Sequence, residues 1–168
     1  STSVLGLDLI FKLESQDSIT IPAGNYYFKE IKVAGGARVK ISGNVNIFCA
    51  GDVLVTGGSE FNAGESSDRL KIFVDGRSTI TASAKVSVNG ISKLTALVYA
   101  PYSDVDVNGQ GNARGYYWGA SAQLNGQATV MGPSDSSGSG GGGFGAPGLN
   151  ASNTAPPTAT GPSEAFVL

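Results

Sequence analysis

The feature that most constrains this chain is a short unit closed by Asn-Gly. Val86-Ser-Val-Asn-Gly90, Val105-Asp-Val-Asn-Gly109 and Ala122-Gln-Leu-Asn-Gly126 share the order apolar, polar, apolar, Asn, Gly, and their glycines lie 19 and then 17 residues apart. Alternation of apolar and polar residues makes each unit a short strand with one buried face. A recurrence of this length, with glycine closing equivalent strands, fits one coil of a β-solenoid better than a hairpin unit. Asn tolerates the left-handed backbone of such a corner, and its amide can bond the Asn one coil away. Asn89, Asn108 and Asn125 are therefore expected to form a structural ladder rather than a binding site.

The rest of the chain agrees. Ile19-Thr-Ile, Tyr26-Tyr-Phe, Ala37-Arg-Val-Lys-Ile, Asn44-Val-Asn-Ile-Phe, Asp52-Val-Leu-Val, Leu70-Lys-Ile-Phe-Val, Ser78-Thr-Ile-Thr-Ala and Leu94-Thr-Ala-Leu-Val are short, β-branched-rich and separated by glycine or by the Pro22 and Pro101 corners. No amphipathic helix pattern of useful length interrupts them. The expected architecture is all-β, a right-handed parallel β-helix of six or seven coils over residues 19–131. Residues 1–18 read as an N-terminal strand or cap, because Leu5, Leu7, Leu9, Phe11 and Leu13 alternate onto one face. Residues 132–168 change composition to a Gly/Ser/Pro-rich tail ending in the apolar Ala165-Phe-Val-Leu168. Such a tail is expected either to pack back along the solenoid or to be held by neighbouring subunits, and the second is preferred.

Charge and composition narrow the chemistry. Lys and Arg number 11 against 13 Asp and Glu, a net charge of −2 with no basic run, which argues against nucleic acid as a partner. Histidine is absent, excluding His-based triads, His proton shuttles and His metal ligands. The single cysteine, Cys49, lies in an apolar strand; it can form no intrachain disulfide, and alone it builds no metal site. No apolar run has the length of a membrane span, and the residues from Ser1 onward do not include a basic, apolar signal segment.

Few residues remain as candidates for function. Asp104 and Asp106 are two apart on one strand and project from the same face, as polysaccharide hydrolysis or calcium binding would require. A solvated strand face between inward Val105 and Val107 explains them as well, so no catalytic residue, metal ligand or cofactor is expected. The aromatics Tyr102, Tyr116, Tyr117 and Trp118 are candidates for a surface that stacks on sugars or on another subunit. Leu5, Leu7, Leu9, Phe11, Leu13, Phe166, Val167 and Leu168 are candidates for a subunit contact, since a strand donated to a neighbour satisfies an open sheet edge. Asn150-Ala-Ser152 is a glycosylation sequon.

Tyr99-Ala-Pro-Tyr-Ser-Asp-Val-Asp-Val-Asn-Gly-Gln-Gly111, followed by Gly115-Tyr-Tyr-Trp-Gly119 and Ala122-Gln-Leu-Asn-Gly126, resembles an uncharacterised prokaryotic β-helix family of pilus-associated and cell-surface proteins. Its members read Tyr-Ala-Pro, then Val-x-Leu-Asn-Gly, then an aromatic-Gly-Ala-Ile segment, then Val-x-Leu-Asn-Gly again. Pro22-Ala-Gly-Asn-Tyr-Tyr27 and Val39-Lys-Ile-Ser-Gly-Asn-Val-Asn-Ile47 are similar to earlier parts of that pattern. The chain departs from it at Ala113-Arg-Gly-Tyr-Tyr-Trp118 and at Val130-Met-Gly-Pro-Ser134, where members tend to end in a His-Tyr-Asp-Glu-like segment. A more distant likeness is to bactofilins. The resemblance implies an extracellular surface β-helix and carries no catalytic residues. The expected function is a non-enzymatic structural subunit of a cell-surface filament, its partner being further copies of itself. A carbohydrate-binding or adhesive module that recognises cell-surface glycans is the alternative, and a polysaccharide-active enzyme the more remote one.

Overall fold

The computed structural model of the chain describes residues 9–78, 84–132 and 143–145. In chain order its strands are β1 (Ile10–Leu13), β2 (Ser18–Phe28), β3 (Glu30–Val33), β4 (Arg38–Cys49), β5 (Val53–Val55) and β6 (Glu60–Phe61). They continue as β7 (Leu70–Val74), β8 (Lys85–Val88), β9 (Lys93–Gly109), β10 (Asn112–Gly126), β11 (Thr129–Met131) and β12 (Gly143–Gly145). Two short 3₁₀ turns, Ser67–Arg69 and Gly76–Ser78, are the helical elements among the described residues. Every strand pairing among the described residues is parallel, and the chain forms a β-solenoid of about six turns.

Three faces run the length of the coil. The first stacks β1, β3, β5 and β8 on the last thirds of β9 and β10. The second stacks the first halves of β2 and β4 on β6, β9, β10 and β11. The third stacks the second halves of β2 and β4 on β7, the middle of β9 and β10, and β12. Long strands bend from one face to the next where register shifts, at Pro22/Gly24 and at Gly119/Ser121. The Pro22 corner expected from sequence is thus a bend within β2.

Alternation supplies the core. On the first face Ile31, Val53, Val86 and Val105 lie one above another, as do Val33, Val55, Val88 and Val107, and all eight are fully buried. Val39, Phe61, Leu94 and Ala113 fill the second face, and Ile47, Ile72, Val98 and Tyr117 the third. Branched side chains stacked on their equivalents remove apolar surface from water in every turn, a gain of about 1.5–3 kcal/mol for each fully buried Val, Leu or Ile. Cys49 is one of these residues, as its sequence context implies.

After the first face, each turn passes a left-handed corner: Ser15, Gly35, Gly57, Gly90, Gly109 and Gly126 all have φ between 61° and 74°. These corners stack. A Cβ on Gly57 would lie 2.9 Å from the Gly35 amide nitrogen, and one on Gly35 would lie 2.9 Å from that of Ser15. Glycine is needed both for the backbone angle and for the approach of the next rung. Beside the corners the expected Asn ladder is present. Asn125 Nδ2 donates to Asn108 Oδ1 at 2.7 Å, and Asn108 Nδ2 donates to Asn89 Oδ1 at 2.9 Å.

The N-terminal segment is described from Leu9 onward. β1 begins at Ile10, and Phe11 and Leu13 turn inward over Ile31 and Val33 as the first rung of the same solenoid. Leu9 precedes the strand and is 57% exposed, so it does not share the buried face expected for it. Leu5 and Leu7 lie outside the described residues, as does most of the expected strand at 78–82, of which Ser78 ends a 3₁₀ turn. At the other end the solenoid extends past residue 131. Gly143–Gly145 pairs with Tyr116–Trp118 of β10, so this part of the tail packs back on its own solenoid.

The corner column predicts a difference between two glycines. Gly64 has φ +82° with nothing within 4 Å of an added Cβ, whereas Gly57 combines φ +66° with backbone contact. Gly64→Ala should cost about 1–2 kcal/mol in denaturant unfolding, the cost of a left-handed Ala. Gly57→Ala should cost distinctly more, and equal losses would contradict the stacking argument.

Candidate functional site

The outward positions of the third face carry an aromatic ladder. Tyr27, Phe48, Phe73, Tyr99 and Trp118 occupy equivalent positions in five consecutive turns. Tyr27 stacks on Phe48 at 4.9 Å between ring centroids, and Phe48 on Phe73 at 5.1 Å, each pair within 14° of parallel. Tyr99 and Trp118 meet at 6.3 Å and 33°. The spacing follows from the strand separation of about 4.8 Å, which brings equivalent rings into contact. Phe48 is thus stacked between two rings, while Tyr27 and Phe73 each have one stacked face.

An insertion makes this ladder the floor of a groove. Successive corners Gly57 and Gly90 are 33 residues apart in place of 17 to 22, because the third turn carries two extra loops, before and after β7. The second of these contains Asp75 and Arg77. Arg77 Nε donates to Asp75 Oδ1 at 2.7 Å and Nη2 to Oδ2 at 3.3 Å, and the guanidinium sits 5.2 Å from the centre of the Tyr102 ring. The Arg77 bond holds the Asp75 carboxyl below its ordinary pKa. Together these residues wall an open groove of about 690 Å³ whose floor includes Phe48, Phe73 and Tyr99.

The aromatic candidates divide. Tyr102 and Tyr116 are exposed, the first in the groove wall and the second in the outward column beside the ladder. Trp118 is half-buried and forms the fifth rung of the ladder. Tyr117 is not a surface residue. It points inward at 1% exposure, and its hydroxyl donates to the Leu94 carbonyl at 2.7 Å, with burial raising its pKa. Strand alternation requires this once Tyr116 and Trp118 face outward.

Asp104 and Asp106 alternate with inward Val105 and Val107, both are half-buried, and Asp106 Oδ1 is buried without a hydrogen-bond partner among the described residues. Asp104 Oδ1 accepts a hydrogen bond from Ser121 one turn away, and the register sets Lys85 beside it on the other side. Among the described residues no three acidic or Cys side chains group to hold a metal ion. Phe11 and Leu13, proposed as subunit contacts, engage their own core: Phe11 lies 5.3 Å from Phe28 and 6.5 Å from Phe61 between ring centroids. Phe166, Val167, Leu168 and Asn150 lie outside the described residues.

A parallel β-solenoid with in-register outer ladders is the class of protein this architecture defines. Over residues 38–132, more than half of its 168, the chain matches the family described as Domain of unknown function (DUF7305), and it belongs to that family. The matched span begins with β4 and includes the Asn ladder and four of the five ladder aromatics, but not Tyr27. No curated protein and no solved structure matches the chain.

Two measurements follow. A double-mutant cycle on Tyr27→Ala and Phe48→Ala should give a coupling of about 1 kcal/mol in unfolding free energy, the worth of a stacked aromatic pair; additive losses would contradict stacking. Cys49 is the second case: its pKa is raised from 9.0 to about 11, chiefly by burial. The folded state then holds the thiol proton more tightly than the unfolded state, so the Cys49 contribution to stability is intact below pH 9 and lost as pH rises towards 11. Cys49→Ala should flatten that part of the pH–stability profile.

Proposed function

We propose that this chain is an extracellular structural protein, a subunit of a cell-surface filament built by end-to-end stacking of β-solenoids. The observation that carries the reading is the state of the first rung. β1 and β2 stand at the two ends of the strand order, and each has a partner on one side only among the described residues. Among the described residues the outer backbone donors and acceptors of these two strands have no strand partner, the kind of surface that pairs with another chain. Apolar Leu9, Ile10 and Ile19 surround them at 57, 49 and 41% exposure. The opposite end offers β11 and the last third of β10, with Ala122, Leu124 and Val130 half-buried. Such a contact between unlike ends does not close on itself, so it propagates as a filament. The likeness to pilus-associated β-helices supports the same reading and the same location.

The alternative, an adhesive module that binds glycans, is favoured by the exposure of Tyr102 and Tyr116. A glycan array comparing native protein with Tyr102→Ala and Tyr116→Ala measures that reading directly.

Assembly is tested by negative-stain microscopy and light scattering of native protein and of the double variant Ile10→Lys, Ile19→Glu. Both positions are exposed, so the variant should keep the native circular dichroism. Native protein should form linear oligomers that lengthen with concentration, and the variant should remain monomeric. Monodisperse native monomers at high concentration would refute the proposal.

A further inference from the structure

The aromatic groove has a chemistry of its own. Its floor is Phe48, Phe73 and Tyr99, and Val74 and Pro101 add further apolar surface. Asp75 and Arg77, the charged groups in its wall, satisfy each other through two hydrogen bonds. A sugar needs open ring faces and several free polar partners. Here the faces of Phe48 are covered on both sides by Tyr27 and Phe73, and the charged pair is already engaged. An apolar side-chain cluster fits such a groove better than a polyol.

We propose that this groove is the docking site for the Phe166-Val167-Leu168 segment of this chain. After Gly145 the sequence has four large aliphatic or aromatic side chains, Leu149, Phe166, Val167 and Leu168, and the last three are consecutive. The last described stretch of the tail also lies on the right face. Gly145 pairs with Trp118, so it continues the column of Tyr27, Phe48, Phe73, Tyr99 and Trp118 by one rung. At a strand separation of about 4.8 Å, the groove floor from Tyr99 back to Phe48 lies roughly 10–20 Å from Gly145. Twenty residues, 146–165, separate Gly145 from Phe166. Fully extended they reach about 66–72 Å, several times that distance. The groove, at about 690 Å³, is large enough for three side chains, within the about 300–1,000 Å³ of ordinary ligand pockets. Docking covers ring edges that otherwise form a contiguous apolar patch. The contact does not depend on end-to-end assembly.

Tyrosine nitration of the full chain, located by mass spectrometry, tests the assignment. Tyr99 and Tyr102 report on the groove, and Tyr116, exposed outside it, is the internal control. In native protein Tyr99 and Tyr102 should react several-fold more slowly than in the variant Phe166→Ser, Val167→Ser, Leu168→Ser, with Tyr116 unchanged. A synthetic peptide of residues 163–168 added to that variant should restore protection. Equal rates in native protein and variant would overturn the proposal. So would protection restored by a peptide of residues 154–162, or by neutral oligosaccharides, in place of the 163–168 peptide. Run on dilute monomer and on assembled protein, the experiment separates the two proposals: protection in the monomer supports docking even where filaments fail to form, and unprotected tyrosines in intact filaments refute it.

Discussion

The fold depends on the close stacking of left-handed corners. Each turn must bring its backbone back within hydrogen-bonding distance of the turn before, in the same register. Gly35, Gly57, Gly109 and Gly126 permit this because a Cβ at any of them would press on the neighbouring corner's backbone. Once the corners are in register, the strands that flank them align from turn to turn, with bulges and loops absorbed between them. Inward Val and Ile columns, the Asn89–Asn108–Asn125 ladder and the outer aromatic column are consequences of one constraint.

That dependence explains what the sequence discloses and what it conceals. Asn-Gly at residues 89–90, 108–109 and 125–126 marks the corners where turns are regular, so the solenoid, its parallel strands and its Asn ladder are all legible. The aromatic ladder is hidden because the third turn carries two loops, which place Phe73 and Tyr99 at 25 and 26 residues from their predecessors rather than 19 to 21. Only pairing reveals that Tyr27, Phe48, Phe73, Tyr99 and Trp118 are equivalent. Tyr27, Phe48 and Phe73 are each followed by the last residue of their strand, a weak signal in the sequence, whereas Tyr99 and Trp118 lie within long strands. Tyr116-Tyr-Trp118 is ambiguous for another reason: three successive aromatics show no alternation, and which one points inward is set by the register of β10 on β9. In the N-terminal segment the pattern continues beyond the rung that buries it, so alternation alone places Leu9 on a face that β1 does not supply.

Among the described residues, polar side chains form ladders that run along the coil. Glu60 accepts from Lys93 at 2.9 Å and lies 3.7 Å from Arg38, giving an alternating charge column on the second face. The Lys93 bond, ahead of Arg38, lowers the Glu60 pKa. Exposed pairs of this kind add little stability, but like charges in that column would oppose the register. Ladders of Asn, aromatics and opposite charges all favour the same alignment of one turn on the next. A protein organised this way has its distinctive surfaces at its ends and along its outer columns, and both proposals place function there.

The most direct measurement is amide hydrogen exchange across Ser18–Phe28, the strand whose described partner lies on one side only. If solenoids stack end to end, the amides on the open edge of this strand should exchange rapidly in dilute protein and become protected as concentration rises, while those of β9 remain slow throughout. Exchange along Ser18–Phe28 that is independent of concentration would contradict the account.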